Sequence, residues 1–245
     1  MHAHSVLQFP QLFHTLSTMS YTIETIGETA SPYKQKFGVA RQPGLVPAAE
    51  ICITLHPEFT ADCVRGLQHF DYIWVHFIFH SVLGEGWSPL VRPPRLGGKQ
   101  KMGVFATRSP HRPNHLGLSL LKLERIDTSG PVKLWCSGAD LMDGTPIIDI
   151  KPYIPFVEAH PQAASGFVTG APEQLAVSWH PEAQPDGLSP AIRQLIEQSI
   201  AQDPRPAYQN IPDRIYVMAV DDYEVRFTIA DQHALITAVT PKNGQ

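Results

Sequence analysis

Residues 116–127, LGLSLLKLERID, largely alternate apolar and polar side chains at the period of two that a half-buried antiparallel strand needs. Runs of the same character lie on either side: YTIETIGE (21–28), EICITLH (50–56), DYIWVHFIFH (71–80), KMGVFAT (101–107) and PVKLWCSGADL (131–141). Between them TADCVRGLQHF (60–70) reads as one short helix with Thr60 as its N-cap. Many short strands with few helices predict a mainly β fold, an antiparallel barrel that is closed or nearly so. The 23 prolines are scattered through the chain and suit loops and strand edges, because proline interrupts both helix interiors and central strands.

The 245 residues, 43% of them hydrophobic, suffice for one large or two small domains. Residues 1–19 carry neither a basic start nor a small-residue cleavage site and read as a flexible extension. The barrel is expected over 20–160. A small, polar, proline-bearing stretch at 161–178 reads as a linker to a small α+β domain over 179–245. In that domain SPAIRQLIEQSIAQ (189–202) has Ile192, Leu195, Ile196 and Ile200 at helical spacing, with Ser189 as N-cap and Pro190 at the first helical position. Three strand-like runs follow, RIYVMAV, YEVRFTI and HALITAV. At about 65 residues this unit is too small to be expected to fold without the barrel or a second subunit. No run approaches the roughly 18 apolar residues of a membrane span. Three cysteines without a CxxC motif point to reduced thiols and a cytoplasmic setting.

The net charge of −4 hides a strong asymmetry. From Arg92 to Arg125 eight Lys or Arg face a single acid, Glu124, so this segment carries +7 and the rest of the chain −11. One face can therefore attract phosphate while the whole stays soluble. Within it ATRSPHRPNHLGLS (106–119) holds Arg108, Arg112 and Asn114 on a loop stiffened by Pro110 and Pro113. Preorganised arginines of this kind suit carboxylates or phosphates, whose oxygens match the planar guanidinium fork. Two arginines capping local carbonyls would satisfy the same pattern. RLGGKQ (95–100) is either a phosphate-wrapping loop or a turn. There is no GxGxxG after a strand, no GxxxxGK[ST], no HExxH and no GxSxG. His76 and His80 lack further ligands at useful spacing, so no metal is expected. ADLMDGTPIIDIKPYIPF (139–156) brings Asp140, Asp143 and Asp149 around an Asp-Gly turn, and DPRPAY (203–208) is a rigid polar arm.

RQPGLV (41–46), VRPPRLGG (91–98), GVFATRSPHRPNHLG (103–117), DLMDGTPIIDIKPYIPF (140–156) and AQDPRPAY, in this order, resemble the TrmO-type tRNA methyltransferases over about residues 21–239. The resemblance implies a non-Rossmann β-barrel that uses S-adenosylmethionine, acts as a homodimer, and methylates N6 of threonylcarbamoyl-adenosine beside the anticodon of tRNA. It implies cofactor contacts from Arg41, Gln42, Pro43, His80, Ser81, Arg108, Leu118 and the turn Asp143, Gly144, Thr145 and Pro146. The chain departs from the family at RPNHLG, where the usual sequence has proline in place of His115.

The donor's carboxylate calls for Arg108, and Leu118 would pack on its adenine. The acceptor nitrogen is urea-like, so the reaction needs positioning and help with a proton, for which Asp140, Asp143 and Tyr208 are candidates. The substrate's threonyl carboxylate and phosphates would be met by Arg112, Asn114, Lys151 or Arg205. The residues alone also allow a non-catalytic RNA-binding barrel, or a methyltransferase with a different RNA or small-molecule acceptor; a hydrolase has no nucleophile motif behind it.

Overall fold

A computed structural model describes residues 20–242 apart from 184, 186, 207–210 and 212–213. The N-terminal extension (1–19) and Tyr208 lie outside the described residues. The strands are β1 (Gly27–Ala30), β2 (Ile51–Leu55), β3 (Tyr72–Ile78), β4 (Leu90–Val91), β5 (Met102–Gly103), β6 (Leu116–Asp127), β7 (Lys133–Ser137) and β8 (Pro146–Pro152). After them come α1 (Pro155–Glu158), β9 (Ala176–Trp179), α2 (Pro190–Ala201), β10 (Tyr216–Val220), β11 (Tyr223–Ala230) and β12 (His233–Pro241).

Six strands close a barrel in the order β1-β2-β7-β6-β3-β8, every neighbour antiparallel. Closure removes the unpaired edges that an open sheet of this size would leave. The alternation decides what fills it: Ile51 and Ile53, Ile73 and Val75, Leu121, Leu134, Cys136 and Ile147 point inward and are buried. Gly117 is forced at its place, because a Cβ there would meet the Phe77 ring at 2.3 Å. That ring in turn packs edge-on against Phe79 at 5.0 Å.

The expected helix over 60–70 is two separate 3-10 turns, Ala61–Val64 and Leu67–His69. Gly66, at φ 88°, reverses the chain between them, and the Thr60 side chain makes no cap bond. The first expected strand begins only at Gly27, and 101–107 shortens to β5 followed by a 3-10 turn at Val104–Ala106. Pairing partners at those positions are limited to Leu90 and Val91.

The second unit is a four-stranded sheet in the order β10-β11-β12-β9 with α2 beside it. Ala176–Ser178, inside the stretch expected as linker, already pair in parallel with β12. The Ser189 side chain caps α2 by accepting the Ile192 N–H at 3.2 Å, with Pro190 following as expected. Its core contains Leu195, Ile196, Ile200, Met218, Phe227 and Ile236, but also Tyr33, Ala40, Val46 and Ala49 from the β1–β2 connection. Polar bonds fasten that connection to α2. Tyr33 Oη lies 3.1 Å from Ser199 Oγ, Gln198 accepts the Ala48 N–H at 2.9 Å, and Gln202 donates to the Leu45 carbonyl at 3.1 Å. The small sheet thus completes its core with a loop borrowed from the barrel.

Candidate active site

One end of the barrel, formed by the ends of β1, β3 and β7 and the starts of β2, β6 and β8, gathers most of the motif residues. The β1–β2 connection delivers Arg41 and Gln42. Arg41 donates to the carbonyls of Asp203 at 3.0 Å and Arg205 at 2.9 Å, which ties the DPRPAY arm to the barrel. Arg108 donates to the Gln42 side-chain carbonyl, whose amide in turn donates to the Arg41 carbonyl. Arg41, Gln42, Arg108, Asp203 and Arg205 therefore form one hydrogen-bonded chain across three separate segments. Pro43 precedes Gly44, whose N–H is fixed to the Gly138 carbonyl at 2.8 Å.

Asp140 enters this end from the β7–β8 connection. Ser119 Oγ donates to its carboxylate at 2.6 Å. Burial pushes the Asp140 carboxyl up to about 6, against the opposing pull of the Ser119 bond and the positive charge of Arg108. Behind it Tyr33, fully buried, has its phenol pushed up to about 12, chiefly by burial. Ser119 is a residue that motif reading passes over. Its signal is an inward-facing hydroxyl, 1% exposed, on a strand whose other inward positions are apolar or glycine.

The DGTP turn is laced to the end of β1. Asp143 accepts the Ser31 N–H at 2.7 Å and pairs with Lys34 at 3.0 Å, while its own N–H reaches the Tyr33 carbonyl. Gly144 N–H bonds to the Thr29 carbonyl at 2.8 Å and Thr145 N–H to the Thr29 hydroxyl at 3.0 Å. Thr145 Oγ1 donates to the Met142 carbonyl at 2.7 Å, and Pro146 opens β8 opposite Glu28. Thr29 and Lys34 carry no sequence signal of their own. Their partners are more than 100 residues away.

In the 106–119 loop the two arginines part company. Arg112 is half-buried and spends its guanidinium on the carbonyls of Thr107 at 2.7 Å and Val104 at 3.2 Å. Asn114 is exposed, at φ 65°, and His115 at φ 49° donates from Nδ1 to the Pro110 carbonyl at 3.0 Å. The His115 carbonyl receives the Phe79 N–H at 2.9 Å, which sets the start of the 3-10 turn bearing His80 and Ser81.

Three named residues stand apart or already have partners. Leu118 is on the outer wall, 47% exposed, opposite His76 of β3. Lys151 is on the outside of β8 near the other end, paired with Asp149. Arg205 is 14% exposed and grips Asp203 with both prongs of its fork at 2.7 and 2.8 Å.

The geometry is that of a small non-Rossmann barrel with an arginine, a raised carboxyl and ordered backbone donors at one end. Residues 28–159 match the tRNA-methyltransferase O N-terminal domain, and residues 172–242 the TrmO C-terminal domain. The chain belongs to the tRNA-methyltransferase O family. It is 66% identical over 175 residues to a tRNA (adenine(37)-N6)-methyltransferase of Eikenella corrodens, covering 71% of this chain and 99% of that one. It is 42% identical over 233 residues to the enzyme of the same name from Escherichia coli K12, covering 91% and 99%. The crystal structure of TrmO from Pseudomonas aeruginosa superposes with a TM-score of 0.75 at 32% identity, covering 91% of this chain and 99% of that one.

Proposed function

We propose that this chain transfers a methyl group from S-adenosylmethionine to N6 of threonylcarbamoyl-adenosine 37 in tRNA. The observation that carries the reading is the meeting, at one end of the barrel, of the Arg41–Gln42–Arg108 chain with the buried Asp140 carboxyl. The donor set suits the cofactor. Arg108 is exposed and offers a guanidinium to its carboxylate, the outward Leu118 offers apolar surface to its adenine, and the turn Asp143–Pro146 supplies an ordered backbone rim. Asp143 itself acts by holding that rim, since both its oxygens are engaged by Ser31 and Lys34. The cofactor supplies the electrophilic methyl; everything else falls to the protein.

Asp140 is placed to receive the proton from the urea-like nitrogen. A carboxylate lifted toward neutrality is a stronger base than an ordinary one and is still ionised at pH 7. Ser119 fixes its orientation. Arg41 clamps the Asp203–Arg205 segment against the barrel, and Tyr208 follows that segment in the sequence. Arg112 and Arg205 are engaged by protein partners, so Asn114, exposed at the motif end, is the member of the expected substrate group best placed there for RNA, while Lys151 is exposed but lies near the other end and pairs with Asp149.

The expected homodimer is assigned to the outer wall of β3 and β6, which exposes Tyr72 at the start of β3 and Leu116 at the start of β6. Among the described residues no helix is long and apolar enough to cross a membrane. A tRNA substrate supports the cytoplasmic setting expected from the sequence. The test is incubation with labelled S-adenosylmethionine and tRNA bearing or lacking the threonylcarbamoyl group, followed by mass spectrometry of the nucleosides. Label is expected in N6-methylated threonylcarbamoyl-adenosine alone. Label in the unmodified tRNA, or in another nucleoside, would overturn the acceptor assignment.

A further inference from the structure

The connection from β3 to β6 carries a feature that the methyl-transfer chemistry does not use. Between His80 and His115 six Lys or Arg accompany one acid, Glu85. Arg108 and Arg112 are engaged as described, and Arg95 donates to the Gly170 carbonyl. Among the described residues the side chains of Arg92, Lys99 and Lys101 have neither a hydrogen bond nor an ion pair. Val91 pairs with Met102 at the end of the β4–β5 hairpin, so the next positions outward set Arg92 opposite Lys101. Like charges facing each other across a ladder repel, and an anion bound between them relieves the repulsion.

At the base of the same hairpin two aromatic rings are held in the open. Trp87 is 57% exposed and Phe105 82% exposed. The Pro89 carbonyl accepts the Val104 N–H at 3.0 Å, and Ser88 N–H reaches the His111 carbonyl at 3.4 Å. Trp87 and Phe105 therefore sit just beyond one end of the ladder, Trp87 in the segment leading into β4 and Phe105 in the 3-10 turn that follows β5. Arg112 brackets Phe105 by binding the carbonyls of Val104 before it and Thr107 after it. A rigid support for an exposed ring is otherwise unexplained, since water-facing Phe gains nothing from being held still.

We propose that this arm is a clamp for single-stranded RNA: Trp87 and Phe105 stack on unpaired bases of the anticodon loop, while Arg92, Lys99 and Lys101 hold the adjoining phosphates. The combination of exposed rings with an uncompensated basic edge is what unpaired nucleotides require, because every base has a π-face and every linkage a charge. A duplex would offer the phosphates but bury its base faces. Arg112 becomes a positioning residue for the clamp. The inference rests on the tRNA reading, and names where beyond the reacting end the loop is held.

The experiment uses full-length protein and threonylcarbamoylated tRNA carrying 2-aminopurine at an unpaired anticodon-loop position. Wild type should quench the fluorophore on binding. The double variant Trp87→Ala, Phe105→Ala should lose the quenching and weaken binding roughly 10- to 100-fold, with KM for tRNA rising far more than kcat falls. Trp87→Phe with Phe105→Tyr should restore both, whereas leucine at both positions, equally apolar but unable to stack, should not. Arg92→Glu with Lys101→Glu should flatten the dependence of log affinity on log salt by about 0.7 for each phosphate that is no longer neutralised. Leucine variants that bind and quench like wild type would overturn the proposal. So would alanine variants that bind RNA normally but sediment at half the mass, for then the patch joins two copies of the chain. A wild-type protein that binds and quenches the loop without transferring methyl would break the catalytic reading and leave the clamp standing.

Discussion

The two ends of the barrel are built from the same six strands and differ in almost everything else. At the far end the two 3-10 turns cover the strand ends and leave a cleft of about 460 Å3, walled mostly by apolar side chains such as Ile26, Leu55, Phe59, Val64 and Phe70. At the motif end the connections are long, polar and hydrogen-bonded to one another. Volume alone would place the chemistry at the far end, since ligand sites are usually apolar clefts of this size. Convergence of charged groups and fixed backbone donors argues for the other, as proposed above. The lesson is that a cleft formed where short turns roof a barrel needs no function, whereas a buried carboxylate beside an arginine costs stability and calls for one.

The largest effect that would sharpen this contrast is at Asp140. Asp140→Asn keeps the acceptor for Ser119 but removes the proton-accepting charge, so kcat should fall on the order of 100- to 10,000-fold with donor binding largely kept. In wild type kcat should rise with pH through about 6 as the carboxyl ionises. Stability should move the opposite way. The folded-state value of about 6 lies above the ordinary 3.8, so ionisation is costly in the fold: the penalty is absent below about pH 4 and complete above about pH 6. The Asn variant should therefore be more stable than wild type at pH 8, by on the order of 2 kcal/mol and so with a higher melting temperature, and no more stable than wild type at pH 4. Equal melting temperatures at both pH values would mean that the carboxyl is not held in a desolvated site.

Next comes Arg108. Arg108→Ala should raise KM for S-adenosylmethionine roughly 10- to 50-fold, as expected when a charge-assisted hydrogen bond is removed from a partly exposed site. It also removes a positive charge that lowers the Asp140 carboxyl, so the acid limb of the kcat profile should shift to higher pH. A raised KM with an unmoved limb would separate donor binding from the base. Smaller again is Asp143→Ala, which leaves the Ser31 N–H and Lys34 without their acceptor. It should cost about 1–3 kcal/mol of stability and weaken donor affinity, read by calorimetry, about tenfold through a loosened turn.

How much of this contrast is legible in the sequence depends on the range of the interactions. β6 is legible to the residue, and α2 nearly so, because alternation, a serine cap and a proline are local signals. The far-end roof reads as a helix in the sequence because apolar spacing over 60–70 outweighs one glycine that the chain uses to turn back. The β1–β2 connection gives no hint that Tyr33, Ala40 and Val46 complete the C-terminal core, since their partners are 150 or more residues away and no periodicity marks them. At the motif end, residue types are legible and commitments are not. Arg108 and Arg112 look alike in the sequence, yet one binds Gln42 in the open and the other binds its own loop. His115 departs in that loop from the proline that the resemblance would put there: at φ 49°, with its N–H bonded to the Arg112 carbonyl, it takes a shape closed to proline.

The smallest expected effect is the one that breaks the comparison most cleanly if it fails. Cys63 is an exposed free thiol on the wall of the far cleft, away from every residue given a part in methyl transfer. Cys63→Trp puts a large apolar side chain into that space, which needs no backbone change because the residue is already at the surface. Stability should stay within about 1 kcal/mol of wild type. KM for both substrates and kcat should stay within about twofold, since nothing at the far end touches the Arg41–Gln42–Arg108 chain or Asp140. If steady-state kinetics instead showed a large rise in either KM, the far cleft would hold part of a substrate. The division between an apolar end that closes the barrel and a polar end that does the chemistry would then have to be given up.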